Sequence, residues 1–228
     1  MSVCNEKTKL NEVMKLNKAM KLDETMKLYL VTDRTWLNDK SLANQVEETL
    51  KAGATFVQLR EKDMPYEKFL EEAREIKKLT DKYKVPFVIN DDVEIALAVD
   101  ADGVHIGQSD KTASEARELI GKNKILGVSA CTVEQAILAE QQGADYIGVG
   151  AIFATSTKND AEIVTLEILR GICKTVNIPV VAIGGICEEN ILQLCGTGIK
   201  GVAVISALLA QPDITAATEK LLRMTEKL

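Results

Sequence analysis

The chain has 228 residues, with 28 Lys or Arg against 34 Asp or Glu and a single histidine, for a net charge of −6. That balance excludes a basic nucleic-acid binder, and 46% apolar residues with only 4 Pro exclude disordered and low-complexity classes. The longest stretch without a charge, Thr175 to Cys187, is too short for a membrane helix, which needs roughly 18–20 apolar residues.

Residues 1–27 contain no Gly or Pro and carry Met14, Met20 and Met26 among Lys15, Lys18 and Lys21. They read as an N-terminal extension without chemistry, either a short helix laid against the body or a frayed end. The opening Met1-Ser2-Val3-Cys4-Asn5-Glu6-Lys7 has an early acid and no apolar secretory core, so a cytoplasmic protein is expected. From Leu28 to the C-terminus a single domain is expected, built on one repeated pattern. A short apolar run ends in polar residues or Gly and is followed by an amphipathic stretch.

The runs begin at Leu28, Thr55, Pro86, Gly103, Ile125, Tyr146, Pro179 and Gly201. Helices are expected over 41–52, 66–83, 111–121, 132–142, 165–175 and 213–227, with room only for short ones after Asn90 and Ile186. Eight apolar runs alternating with helices predict a (β/α)₈ TIM barrel. A doubly wound open sheet shares the pattern, but Thr32-Asp33-Arg34-Thr35 follows the first run where a dinucleotide fold needs a Gly-rich turn.

In such a barrel the chemistry lies at the C-terminal strand ends. The second run closes in Gln58-Leu59-Arg60-Glu61-Lys62, whose alternation aims Arg60 and Lys62 the same way, as anion binding requires. The alternative is a surface cluster paired with Glu61 and Asp63. Asp91, after Asn90, and Asp110 end neighbouring strands and could share Mg²⁺, although Asp91 or Asp92 could instead cap a helix. Thr155-Ser156-Thr157-Lys158 offers hydroxyls and an ammonium on a long loop, suited to a phosphate or to plain solvation. Gly184-Gly185 and Ile205-Ser206, followed by a short apolar segment, suit a phosphate monoester.

Five cysteines without C-x-x-C spacing read as reduced thiols. With His105 the only histidine, a zinc site is excluded and any metal must be held by oxygen. His105 reads as a satisfied core side chain. Ser129 reads as a hydrogen-bonding group and not a nucleophile, because the histidine belongs to another strand. Two anion centres without an obvious base suit a reaction in which diphosphate leaves and the organic part supplies its own reactivity.

These motifs, with Asp102-Gly103-Val104-His105-Ile106-Gly107-Gln108, Gly127-Val128-Ser129 and Gly143-Ala144-Asp145-Tyr146 in the same order, resemble the thiamine phosphate synthase family from Leu28 onward. The resemblance implies a Mg²⁺-dependent transferase that joins 4-amino-2-methyl-5-hydroxymethylpyrimidine diphosphate to a thiazole phosphate. Its partners would be small phosphorylated substrates, with neither nucleic acid nor membrane, and with homo-oligomerisation left open. It implies that Arg60, Lys62, Asn90 and Lys158 hold the diphosphate and that Asp91 and Asp110 ligate Mg²⁺. Ser129 would lie beside the scissile bond and Gln58 beside the pyrimidine, with Ser129, Lys158 and Arg60 acting in catalysis. Thr155, Thr157, Gly185, Ile205 and Ser206 would bind the thiazole phosphate. The chain departs from the family pattern Gly-Pro-Ile-Phe-Pro-Thr at Ala151 and Ala154. Two rivals share the barrel: thiazole tautomerases, which use a histidine after the fifth strand where this chain has Cys131, and non-catalytic phospholigand-binding barrels.

Overall fold

A computed structural model of the chain describes residues 22–37, 39–155 and 163–228. Eight strands, β1 (Leu28–Val31), β2 (Phe56–Leu59), β3 (Phe87–Asn90), β4 (Gly103–Ile106), β5 (Ile125–Ala130), β6 (Tyr146–Val149), β7 (Val180–Ile183) and β8 (Gly201–Val204), pair in parallel and in order. Leu28 lies against Val202 and Leu30 against Val204, which closes the barrel and excludes an open sheet.

The strands are short because each needs only to cross the barrel wall, and they read as continuous apolar runs because both faces are covered. Leu28, Leu30, Val57 and Leu59 face outward into the layer shared with the helices. The alternate residues Tyr29, Val31, Phe56, Val88, Tyr146 and Val181 meet inside. Burying each of the larger side chains contributes about 1.5–3 kcal/mol.

The helices are α1 (Leu42–Lys51), α2 (Tyr66–Tyr83), α3 (Val93–Ala98), α4 (Ala113–Ile120), α5 (Val133–Gln141), α6 (Leu166–Thr175), α7 (Ser206–Leu209) and α8 (Ile214–Thr225). Ser41, Asp92, Thr132, Thr165 and Asp213 each accept a first-turn backbone N–H, and Thr112 forms a capping box with Glu115. The expected helix starts at 41, 132, 165 and 213 are therefore cap positions. After β7 the short connection is a 3₁₀ turn, Ile191–Leu194. The Asp145 carboxylate takes a hydrogen bond from Arg117 at 2.6 Å and one from the Leu126 amide at 2.8 Å, so this motif residue serves the strand beginnings.

The last residues of the extension pack against the barrel. Residues 22–25 form a helical turn, and Leu22 and Met26 are buried in the interior cluster beneath Tyr29 and Phe56. The stretch just before β1 thus forms part of the barrel floor, and a Cβ on Gly201 would lie 1.8 Å from the Met26 carbonyl oxygen. Its polar neighbours Asp23 and Glu24 disguise this role in the sequence. The expected helix or frayed end over residues 1–21 lies outside the described residues.

Candidate active site

At the C-terminal strand ends the barrel opens into a cavity of about 640 Å³. Gln58, Arg60, Lys62, Asn90, Asp91, Asp110 and Ser129 line one part of it. Thr155, Gly185, Ile205 and Ser206 line the same cavity from the β6, β7 and β8 side. Eleven candidate residues scattered over the chain thus share one mouth. Thr157 and Lys158 lie outside the described residues.

Each strand end positions its side chains by a local device. The Arg60 amide donates to Thr32 Oγ1 at 2.9 Å, and the Arg60 guanidinium meets Asp33 Oδ2 at 3.4 Å. Glu61 turns the other way, where Arg34 Nε donates to both its oxygens at 2.9 and 3.0 Å and Glu72 crowds it. The alternation predicted for Arg60 and Glu61 is therefore present, and the counter-ion of Arg60 is Asp33, not the neighbouring acid. Burial, followed by repulsion from Glu72, pushes the Glu61 carboxyl up to about 7.

Asp92, not Asp91, caps α3 through the Ile95 amide at 2.9 Å. Asp91 has a left-handed backbone, φ 62°, and its amide donates to the His105 carbonyl oxygen at 2.8 Å. Its carboxyl accepts from Asn90 Nδ2 at 2.5 Å and shares the cavity with that of Asp110, whose Oδ2 accepts from the Gly107 amide at 2.7 Å. Burial first, then Asp110, raises Asp91 to about 6. Two crowded carboxyls at the mouth form an oxygen donor set that a divalent cation fits.

The opposite side is built by backbone approach. Ile152 and Phe153 amides donate to the Ile183 and Gly184 carbonyl oxygens at 3.0 Å, tying the loop after β6 to the end of β7. Gly185 has φ 64°, and a Cβ there would lie 2.3 Å from the Ala154 oxygen, so only glycine lets this loop bring Thr155 to the cavity. Ser206 opens the single turn α7, and among the described residues no side chain caps that turn.

One inference from strand order fails. His105 and Ser129 are on different strands, yet the register sets His105 beside Gly127, two residues from Ser129, and His105 Nε2 lies 2.9 Å from Ser129 Oγ. His105 Nδ1 is 2.8 Å from the Tyr146 hydroxyl, which is 2.8 Å from the Tyr29 hydroxyl, which accepts from Gln58 Nε2 at 2.5 Å. The third member beside Ser129 and His105 is therefore a tyrosine, and no carboxylate completes a hydrolase-type triad among these contacts. Burial holds His105 down to about 4 and raises both tyrosines. His105 is the satisfied core side chain expected, buried with both ring nitrogens partnered. Tyr29, Tyr146 and Gln108, whose Nε2 donates to the Ser129 carbonyl oxygen at 2.6 Å, line the cavity and were passed over by sequence reasoning. Inward alternation on the strands was the signal that could have found the two tyrosines.

The architecture and this cavity at the strand ends define a TIM-barrel enzyme for small molecules. A family model for thiamine monophosphate synthase matches residues 28–208. The thiamine-phosphate synthase of Ruminiclostridium cellulolyticum is 55% identical over 197 residues, 86% of this chain and 94% of the relative. That of Clostridium tetani is 53% identical over 194 residues, 85% and 93% of the two chains. The solved thiamine phosphate pyrophosphorylase of Pyrococcus furiosus superposes with a TM-score of 0.84 at 42% identity, covering 90% of this chain and 98% of its own. The chain belongs to the thiamine monophosphate synthase family, and it is accordingly a transferase of thiamine biosynthesis. Among the described residues no helix is long and apolar enough to cross a membrane.

Proposed function

We propose that the cavity couples 4-amino-2-methyl-5-hydroxymethylpyrimidine diphosphate to 4-methyl-5-(2-phosphoethyl)thiazole, or its carboxylated form, giving thiamine phosphate and diphosphate. The reading places the reaction in the cytoplasm, where both substrates are soluble. The observation that carries it is the meeting, in one mouth, of the cations Arg60 and Lys62 and the Asp91–Asp110 pair with the Gly185–Ser206 side.

Arg60, Lys62, Asn90 and Lys158 bind the diphosphate. Asp91 and Asp110 would hold Mg²⁺, which when bound supplies positive charge against the leaving group. Gln58 orients the pyrimidine, and Thr155, Thr157, Gly185, Ile205 and Ser206 bind the thiazole phosphate. The methylene C–O bond breaks first: electron donation from the 4-amino group expels diphosphate, and the thiazole nitrogen then forms the C–N bond to the pyrimidine cation. Arg60, Lys158 and Ser129 stabilise the departing charge, while the two sites hold the partners in line. No protein base is needed, consistent with a His105 whose two nitrogens already face Tyr146 and Ser129.

The test is diphosphate release by purified protein with both substrates, with each alone, and with and without Mg²⁺. Release should require both substrates and the metal, and Asp91→Asn and Ser129→Ala should each lower kcat by about 10²-fold or more. Binding of the thiazole phosphate without any release would overturn the synthase reading in favour of a tautomerase or a binding-only barrel.

A further inference from the structure

Beneath the mouth, Tyr29, Tyr146 and the chain's only histidine fill the barrel interior, and the coupling reaction gives none of them a task. They join the two proposed substrate-facing groups, Gln58 and Ser129, into one continuous line. Its four links measure 2.5 Å (Gln58 Nε2 to Tyr29 Oη), 2.8 Å (Tyr29 Oη to Tyr146 Oη), 2.8 Å (Tyr146 Oη to His105 Nδ1) and 2.9 Å (His105 Nε2 to Ser129 Oγ).

A line of single-proton groups can be oriented in two ways, and one end decides between them. The amide nitrogen of Gln58 only donates. Tyr29 therefore accepts from it and must send its own proton to Tyr146. Tyr146 in turn gives its proton to His105 Nδ1. A neutral imidazole that accepts at Nδ1 carries its proton on Nε2, so it donates to Ser129 Oγ. Burial among the strands keeps the ring neutral. The hydroxyl proton of Ser129 is then the one proton of the line left to point into the cavity. The reverse orientation would set the Tyr29 O–H against the Gln58 N–H and turn the Ser129 proton away from the cavity.

The barrel wall is shaped around this line. A Cβ on Gly127 would fall 2.1 Å from Tyr146 Cζ, and one on Gly148 would fall 3.1 Å from His105 Cε1. Glycines at these two positions, on the strands carrying Ser129 and Tyr146, give the rings their room.

We propose that Gln58, Tyr29, Tyr146 and His105 form a one-way hydrogen-bond line that fixes Ser129 as a donor, and not an acceptor, toward the departing oxygens of the substrate. The last clause rests on the proposed coupling reaction; the orientation of the line does not. Ser129 is the catalytic group, and Tyr29, Tyr146 and His105 are positioning residues acting through it. The ordering matters because a hydroxyl presenting lone pairs to a developing diphosphate anion would oppose its departure, whereas a donor already turned toward it requires no reorganisation.

Because the chain has one histidine, a long-range ¹H–¹⁵N correlation spectrum of ¹⁵N-histidine-labelled protein at pH 7.5 reports the tautomer without ambiguity. The expected result is an Nε2-protonated ring with an unprotonated Nδ1. An Nδ1-protonated ring, or an even mixture, would overturn the proposal. In Tyr146→Phe the Nδ1-protonated form should appear. With it, kcat for diphosphate release should fall about tenfold or more while KM for both substrates stays within about threefold. A variant that changes tautomer yet keeps wild-type kcat would sink the link to Ser129. Should Tyr146→Phe fail to fold, the wild-type spectrum still decides the orientation. Should wild-type protein release no diphosphate, the coupling reaction fails while the spectrum continues to test the line.

Discussion

Replacing Gly127 by alanine tests how tightly the barrel interior is built around Tyr146. An added Cβ would lie 2.1 Å from Cζ, 2.3 Å from Oη and 2.4 Å from Cε1 of that ring, all buried. Carbon atoms rest about 3.5–4.0 Å apart, so the ring must shift by more than about 1 Å. Overpacking of this kind costs about 1–3 kcal/mol. The shift also breaks the contacts of Oη to Tyr29 and His105, about 1 kcal/mol net each. The sum is about 3–5 kcal/mol, which for a domain of this size lowers Tm by roughly 10 °C. Gly127 has a backbone conformation open to any residue, so the contact alone is measured. Gly196→Ala is the comparator, with no atom within 4 Å of the new Cβ but φ 71°, and should cost about 1–2 kcal/mol from backbone strain. Urea unfolding of both variants gives the two numbers. A Gly127→Ala cost below that of Gly196→Ala would refute the packing argument.

Arg34→Met removes the partner of Glu61 and should cost about 1–2 kcal/mol at pH 8, allowing for solvent screening of the half-exposed guanidinium. With Glu61 already raised to about 7, the folded protein takes up that proton on acidification, so the cost should shrink at pH 5.5; an equal cost at both pH values in urea melts would contradict it. His105 has a folded pKa of about 4 against an ordinary value of about 6.5. Its unfolded form binds the proton first, so wild type should lose about 3 kcal/mol between pH 6.5 and 4 that His105→Gln does not lose, and parallel stability curves for the two would refute this. Met26→Ala opens a cavity in the floor and should cost about 2–5 kcal/mol by the same melts, whereas an appendage would give nearly nothing.

The eight strands were legible because a parallel strand covered on both faces must be a continuous apolar run, and the helix starts because Ser41, Thr132, Thr165 and Asp213 are both breakers and caps. The anion-facing residues were legible because a barrel puts strand ends at one mouth. The His105–Ser129 contact was not, since it follows from strand register, which no local pattern states. Nor was the pairing of Arg60 with Asp33, whose short 3₁₀ turn after β1 reads only as polar loop. Leu22 and Met26 were hidden for a different reason: a floor needs only two apolar side chains, too few to stand out among charged neighbours.

The seam between β1 and β8 has a bearing on how the protein is made. Leu28–Leu30 finds its second partner only when Val202–Val204, about 170 residues further along the chain, has been synthesised. Until then the nascent sheet has two bare edges and an unsealed interior, an arrangement prone to pairing with other chains. All eight strands must therefore be made before the seam can close, and substitutions along it should be felt as lost yield of folded protein before they are felt in turnover.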